Sequence, residues 1–305
     1  MGFNLFRKKQ SESITEMADT SSNEHTPVVA TPQKPEGEDE VQNRFTLLVE
    51  AVAQIPDNSG IAIKGVVHGR CHVDDEVVLL HPGRRISKVT IDRIELNAQR
   101  ADYAEDEEAI IRIDAIKDAK KVLPFCVLTS IVPQAKIDVN TAIENPYLLG
   151  LAQEFRRFHG NQNYMNLLVF ELVHSNFITP LRIIGEQEKM EDGKVKFKKG
   201  AKIGFLSVKD PNAEDKFVFP LFTDWKELRG WTGVFDEDNP PKTMIFTFPN
   251  VLNMLKENHT GLLINGFGKS PLVIPMEMIH KITSLEAYQK EFGTKQESTE
   301  SKMNE

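Results

Sequence analysis

The run His68-Gly-Arg-Cys-His72 holds one thiol and two imidazoles, the side chains that ligate zinc. A structural zinc needs four convergent ligands, so at least one would have to come from elsewhere. In a strand, alternation sends Cys71 and His72 to opposite faces, and strand-and-turn residues are the simpler reading. The two cysteines, Cys71 and Cys126, could attack a substrate only as thiolates beside a base. Cys126 lies in the apolar run Phe125-Cys-Val-Leu128 and reads as core. Cys71 reads as exposed, with no base assignable. Gly266-Phe-Gly-Lys-Ser270 ends like a phosphate-binding loop. However, Leu263 stands where the first glycine belongs, and Pro271 and a strand follow where a helix should begin. The anion site at a helix N-terminus is therefore missing, and the glycines suit a tight hairpin. Asp74-Asp-Glu76 could be an acid cluster, but turn chemistry accounts for it. The expectation is no catalytic residue, no cofactor and no metal.

An interaction surface is the remaining candidate. Trp225 and Trp231 could stack on a ring, but six residues apart they do not share one helix face, so at least one is expected in the core. Phe267 in the glycine turn, with Lys196 and Lys198 in a basic polar stretch, completes the weak candidate set.

These residues sit in a chain of 305, long enough for roughly two domains once tails are subtracted. Hydrophobic content of 40% and charge of 27% are those of an ordinary folded protein. The net charge is −8, and residues 1–42 supply half of it, with four cations against eight acids. The rest is nearly neutral for its size, which argues against a nucleic-acid footprint. Two cysteines exclude a disulfide scaffold and fit a reducing cytoplasm. No segment reads as a membrane span or a signal peptide. Phe3, Leu5 and Phe6 beside Arg7, Lys8 and Lys9 offer a small peripheral contact with an anionic surface, too short to hold alone.

Residues 1–42 are rich in Ser, Thr, Pro and Glu, and they and residues 293–305 are expected to be disordered. In residues 43–132, Phe45/Leu47/Val49, Ile61/Ile63 and Val89/Ile91 alternate, and Glu76-Val-Val-Leu-Leu80 and Ala109-Ile-Ile-Arg-Ile113 are strand-like runs. Turn residues separate them, which predicts a small β-barrel. Residues 133–292 mix helix and strand. Asn145-Pro146 should cap a helix carrying Leu148, Leu151, Ala152, Phe155 and Phe158. Tyr164 to His174 fits a strand or a buried helix. Phe177–Ile184, Ile203–Val208, Phe217–Phe222, Met244–Phe248, Leu262–Asn265 and Leu272–Ile274 read as strands, and Thr223 as the cap of a helix with Asp224 in its first turn. The fold class is multidomain, β followed by α+β.

Gly65-Val-Val-His-Gly-Arg-Cys-His-Val-Asp-Asp-Glu-Val77, with Val89-Thr-Ile-Asp-Arg-Ile94 and Ile111-Arg-Ile113, resembles the second domain of elongation factor Tu and related translation GTPases. The likeness covers about residues 45–131 and implies a barrel without a GTPase domain. Asp74 departs from it, standing where that family usually has Gly. Phe219-Pro-Leu-Phe-Thr-Asp224 with Leu228 and Trp231, then Phe248-Pro249, Gly261-Leu-Leu-Ile-Asn-Gly-Phe-Gly268 and Leu272-Val-Ile-Pro275, resembles the N-terminal domain of the SseB (enhanced serine sensitivity) family. That likeness covers about residues 145–282. It implies a bacterial cytoplasmic α+β domain with no agreed activity and no catalytic residues.

The expected function is a non-enzymatic binding or adaptor protein with an unidentified protein partner. The alternatives are RNA or ribosome binding through the barrel, which the charge disfavours, and an enzyme of unassigned substrate.

Overall fold

A computed structural model describes residues 44–293 except 57–59, 82–85, 115, 117–118, 135–142, 185–186, 190–194, 198–201 and 233–241, together with 13–14 and 29–30. The expected disordered tails therefore lie almost wholly outside the described residues. Two short strands, β1 (Ser13–Ile14) and β2 (Val29–Ala30), come from the first of them.

The first sheet is formed by β3 (Phe45–Leu48), β4 (Ala51–Gln54), β5 (Gly60–His72), β6 (Glu76–Leu80), β7 (Ile86–Thr90), β8 (Arg93–Leu96), β9 (Gln99–Ala101), β10 (Tyr103–Glu105), β11 (Glu108–Asp114) and β12 (Val127–Thr129). It is antiparallel, in the order β7-β6-β12-β3-β5-β11-β8-β9, and it curls into a half-barrel. The long strand β5 makes the curl. Its first half pairs with β4 and β11, and its second half with β3 and β10. Phe45, Leu47, Ile61, Ile63, Leu79, Ile111 and Leu128 fill the interior, where alternation predicts them. Asp74 adopts φ 71° in the turn before β6. Glycine enters that left-handed region without a steric cost, and Asp tolerates it, which explains why Asp can stand at that position.

One wall of this half-barrel breaks the alternation. On β3, β6 and β12 every residue but Glu76 is buried. Leu47, Leu79 and Leu128 pair across the strands and face the interior, while Leu48, Leu80 and Val127 pair and face outward. The outward set joins Val78 in the core of the second region. A strand buried on both faces reads as a continuous apolar run, and Glu76-Val-Val-Leu-Leu80 is such a run.

The outward side chains meet helix α1 (Pro146–Gln153), in which Pro146 to Ala152 are all buried. A helix apolar all round must be enclosed on all sides. At Gly150 an added Cβ would lie 2.9 Å from Val127 Cγ2, so the helix rests on the strand where only glycine fits. Helices α2 (Phe155–Phe158) and α3 (Gln162–His174) follow. The stretch left open between strand and helix is thus a half-buried helix, capped by Asn161, whose side chain accepts from Tyr164 N.

The second sheet contains β13 (Asn176–Ile184), β16 (Lys202–Lys209), β17 (Phe217–Leu221), β18 (Lys242–Thr247), β19 (His259–Ile264) and β20 (Leu272–Pro275) in the order β2-β18-β13-β16-β17-β19-β20, with β1 on β16. Among the described residues only β17 and β19 run parallel. A separate ribbon pairs β14 (Gln187–Lys189) with β15 (Val195–Phe197). Helices α4 (Trp225–Arg229), α5 (Phe248–Leu252), α6 (Met276–Thr283) and α7 (Glu286–Phe292) complete the α+β region. Phe177, Phe205, Phe219, Phe246 and Leu262 face the layer holding α1 and α3, and Ile178, Leu206, Val208, Val218 and Leu263 face the opposite way. No helix among the described residues is long and apolar enough to cross a membrane.

Candidate functional site

The two motifs singled out around Thr223 and Asn265 meet in space. Strand β17 delivers Thr223 and Asp224 to its end, and the parallel strand β19 delivers Asn265 beside them. Asn265 Oδ1 accepts from Thr223 N at 3.0 Å, and its amide donates to Thr223 Oγ1 at 2.9 Å. Thr223 Oγ1 donates to Asp224 Oδ2 at 2.8 Å. Asp224 Oδ1 accepts from Glu227 N, so Asp224, one residue later than expected, caps α4. Asn145 precedes α1 but makes no side-chain cap. Its amide spans outward instead, donating to Thr223 O at 2.7 Å and Asn176 O at 2.8 Å.

This polar node reaches the half-barrel through Arg44. Its guanidinium donates to both Glu144 oxygens, at 2.8 and 2.5 Å, and lies 3.3 Å from Asp224 Oδ1. Asp224 is 1% exposed. A charge so enclosed must be paired and hydrogen-bonded, and this one is.

A second polar line crosses the seam at the far end of α1. His68 Nε2 lies 2.6 Å from Glu154 Oε1, and Arg157 donates to Glu154 Oε2 at 2.9 Å and to Glu50 at 2.8 Å. Burial alone would raise the Glu154 pKa, but His68 and Arg157 outweigh it and hold the carboxyl below the usual range. Thr46 Oγ1 donates to Gln153, and Tyr147 OH donates to Phe125 O at 2.8 Å. Lys269 of the glycine turn reaches Asp106 of the half-barrel at 2.5 Å.

The aromatic candidates lie on the other side of the node. Trp231 and Phe267 stack with centroids 4.4 Å apart and planes 11° from parallel, and Phe222 stacks beside both. Trp225 and Trp231 are each 8% exposed and Phe267 is half-buried. Both tryptophans are thus packed into one cluster. Lys196 falls on β15, its side chain outside the described residues, and Lys198 lies outside them altogether. Glu227 covers the glycine turn so closely that a Cβ on residue 268 would lie 2.1 Å from its Oε2. Burial, then the neighbouring Asp224, lifts its carboxyl to a pKa of about 7.

The metal-like run does not converge. His68 is held by Glu154, Cys71 points into the half-barrel, and His72 stands near Asp75 and Tyr103. Cys71, read as exposed, is buried, and burial pushes its thiol to about 12. Burial likewise raises Cys126. Its sulfur lies 3.7 Å from His81 Nδ1, a pairing the apolar sequence around it gave no sign of. Ser207 and His259 form another pair that the sequence did not suggest, with Oγ and Nε2 3.1 Å apart. His259 Nδ1 accepts from Lys256 N, so the proton sits on Nε2 and points at the serine. This histidine cannot take a proton from Ser207, and burial holds its pKa down at about 4.

No curated protein matches the chain. Among solved structures, the bacterial selenocysteine-specific elongation factor EF-Sec is similar at 13% identity, over 57% of this chain and 27% of that one. The TM-score is 0.27, too low for the likeness to carry an argument, and the chain spans about a quarter of that factor's length. Residues 153–281, the stretch that brings Thr223, Asp224 and Asn265 together, match the family model of the SseB protein N-terminal domain.

Proposed function

We propose that this chain is a non-enzymatic binding or adaptor protein of the bacterial cytoplasm, in which the half-barrel and the SseB-type domain act as one unit toward a partner protein. The observation that supports this is the use made of the polar groups. Asp224 and Glu154, the most enclosed carboxylates among the described residues, bond at the seam, Asp224 to Arg44 and Glu154 to His68 and Arg157. The thiols are buried, and the buried histidine faces its serine as a donor. Chemistry of these kinds needs an accessible group free to change its proton or bond.

The barrel's surface cations speak against RNA as the partner. Lys64 pairs with Glu108 at 3.1 Å, Arg93 with Glu95 at 2.9 Å and Arg112 with Asp114 at 2.7 Å, and Arg70 pairs with Glu105. Cations neutralised by neighbouring acids, on the same or the adjacent strand, release few counterions from a phosphate backbone. The test is affinity purification of the tagged full chain from cells with cross-linking mass spectrometry. The expected result is a protein partner in fixed stoichiometry, retained at high salt. Absence of a stable partner, together with turnover of a metabolite by the pure protein, overturns the reading. Salt-sensitive tRNA or ribosome binding would replace it with the nucleic-acid alternative.

A further inference from the structure

Helices α3, α6 and α7 leave a groove of about 730 Å³ between them, within the range of about 300–1,000 Å³ typical of ligand sites. Its floor is Met165, Val169 and Phe170 from α3 against Met278, Tyr288 and Phe292 from α6 and α7. Phe170 is 42% exposed and Leu285 50%. An apolar trough of this kind accepts an amphipathic segment through two or three anchors.

We propose that the groove is the docking site of this chain's own segment Phe3-Asn-Leu-Phe-Arg-Lys-Lys9. This goes beyond the binding function proposed above and would stand without it.

Composition supports that occupant. Phe3, Leu5 and Phe6 are large apolar side chains in an otherwise polar stretch, and three cations follow directly. The groove's rim carries Glu277 and Glu291. Across residues 276–292 there are three glutamates against two lysines. Glu277 is held by Lys281 at 2.6 Å and Glu291 by His174 at 2.9 Å, both at the surface. Exposed pairs of this kind are weak and exchange partners at little cost, so Arg7 to Lys9 can share these acids.

Reach supports it as well. Strand β1 sets Ser13 opposite Ser207 on β16. From β16 the sheet runs through β17 and β19 to β20, whose last residue, Pro275, lines the groove. Three strand spacings of about 4.8 Å make roughly 15 Å. The seven steps from Ser13 back to Phe6 span on the order of 23 Å when extended. The segment is therefore tethered within reach, at a high effective concentration.

The test uses the full chain. Hydrogen exchange over residues 162–174 and 276–292 is compared between the parent and a Phe3→Ser, Leu5→Ser, Phe6→Ser variant. The expected result is exchange at least fivefold faster in the variant, confined to α3, α6 and α7. In parallel, a Phe6→Cys, Phe170→Cys variant should form a disulfide within one chain at micromolar protein. Unchanged exchange overturns the proposal. So does a disulfide that forms only between chains, which would make a second copy the occupant. Protection that arises only on adding anionic phospholipid vesicles also overturns it, since it would assign the segment to a membrane surface.

Discussion

The two walls of the half-barrel have the same architecture and opposite surroundings. On the β3-β6-β12 wall both faces are apolar, one toward the interior and one toward α1. On the β5-β11-β8 wall only the interior face is apolar. Strand β11 alternates in burial residue by residue, and its outer face carries the Lys64–Glu108 and Arg112–Asp114 pairs. The difference teaches where the barrel stops being a separate object. A wall that keeps its alternation is solvated, and a wall that loses it has another element against it.

The comparison can be broken by truncating one residue on each wall. Leu48→Ala, at 1% exposure between β3 and the helical core, should cost about 3 kcal/mol. Ile110→Ala, at 39% exposure on the solvated wall, should change stability by less than about 0.5 kcal/mol. Urea unfolding of both variants decides it, and similar losses would mean that the seam is not a packed interface. The second expected effect is polar. Glu154→Ala should cost about 2 kcal/mol, because His68 and Arg157 lose a shared partner at 2% exposure. Glu108→Ala, 53% exposed on the other wall, should cost about 0.5 kcal/mol or less. The same logic gives a pH signature. The Glu154 carboxyl is held low in the fold, so its stabilisation is present above its unfolded pKa and fades as acid protonates it. In the Glu154→Ala variant the acid limb of the stability profile should be flatter.

Glu227 works in the opposite direction. Its folded pKa of about 7 lies above the model-peptide value. The unfolded chain therefore gives up this proton first as pH rises, and stability falls between about pH 4.5 and 7. Glu227→Gln should remove that fall and gain on the order of 1–2 kcal/mol at pH 8, read from denaturant midpoints across pH. A parallel profile in the variant would show that the carboxyl is well solvated. The smallest effect belongs to the turn before β6. Asp74→Gly relieves a left-handed residue at the expense of a freer unfolded chain, so thermal unfolding should shift by about 1 kcal/mol or less. The seam pairs should be untouched.

Much of this was legible in the sequence, and what was missed has a common cause. The strand-like run Ala109-Ile-Ile-Arg-Ile113 placed β11 correctly, its β-branched residues suiting a strand. Leu167-Leu-Val-Phe170 was ambiguous because a half-buried helix and a buried strand look alike over four residues, and it proved to be part of α3. The motif residues from Phe219 to Asp224 and from Gly261 to Gly268 were legible as a set. That Thr223 and Asn265 would bond to each other was not, since the sequence shows spacing along the chain and not adjacency across a sheet. Asn145 stands at the N-cap of α1 as expected, but its side chain bridges β13 to the β17 terminus instead of capping the helix. The tryptophans were half read. At least one was expected in the core, and the structure packs both there. No local pattern marks the polar links of the seam, because Arg44 and Glu144 stand 100 positions apart.

That separation bears on how the chain is made. A ribosome releases the strands of the half-barrel before Glu144 and α1 emerge. The outward side chains of Leu48, Val78, Leu80 and Val127 then face water until residues 146–153 arrive to cover them. At synthesis rates of about 5–20 residues per second, the interval from strand β6 to the end of α1 lasts several seconds. A newly made half-barrel therefore passes through a sticky stage, and cellular chaperones would meet it there.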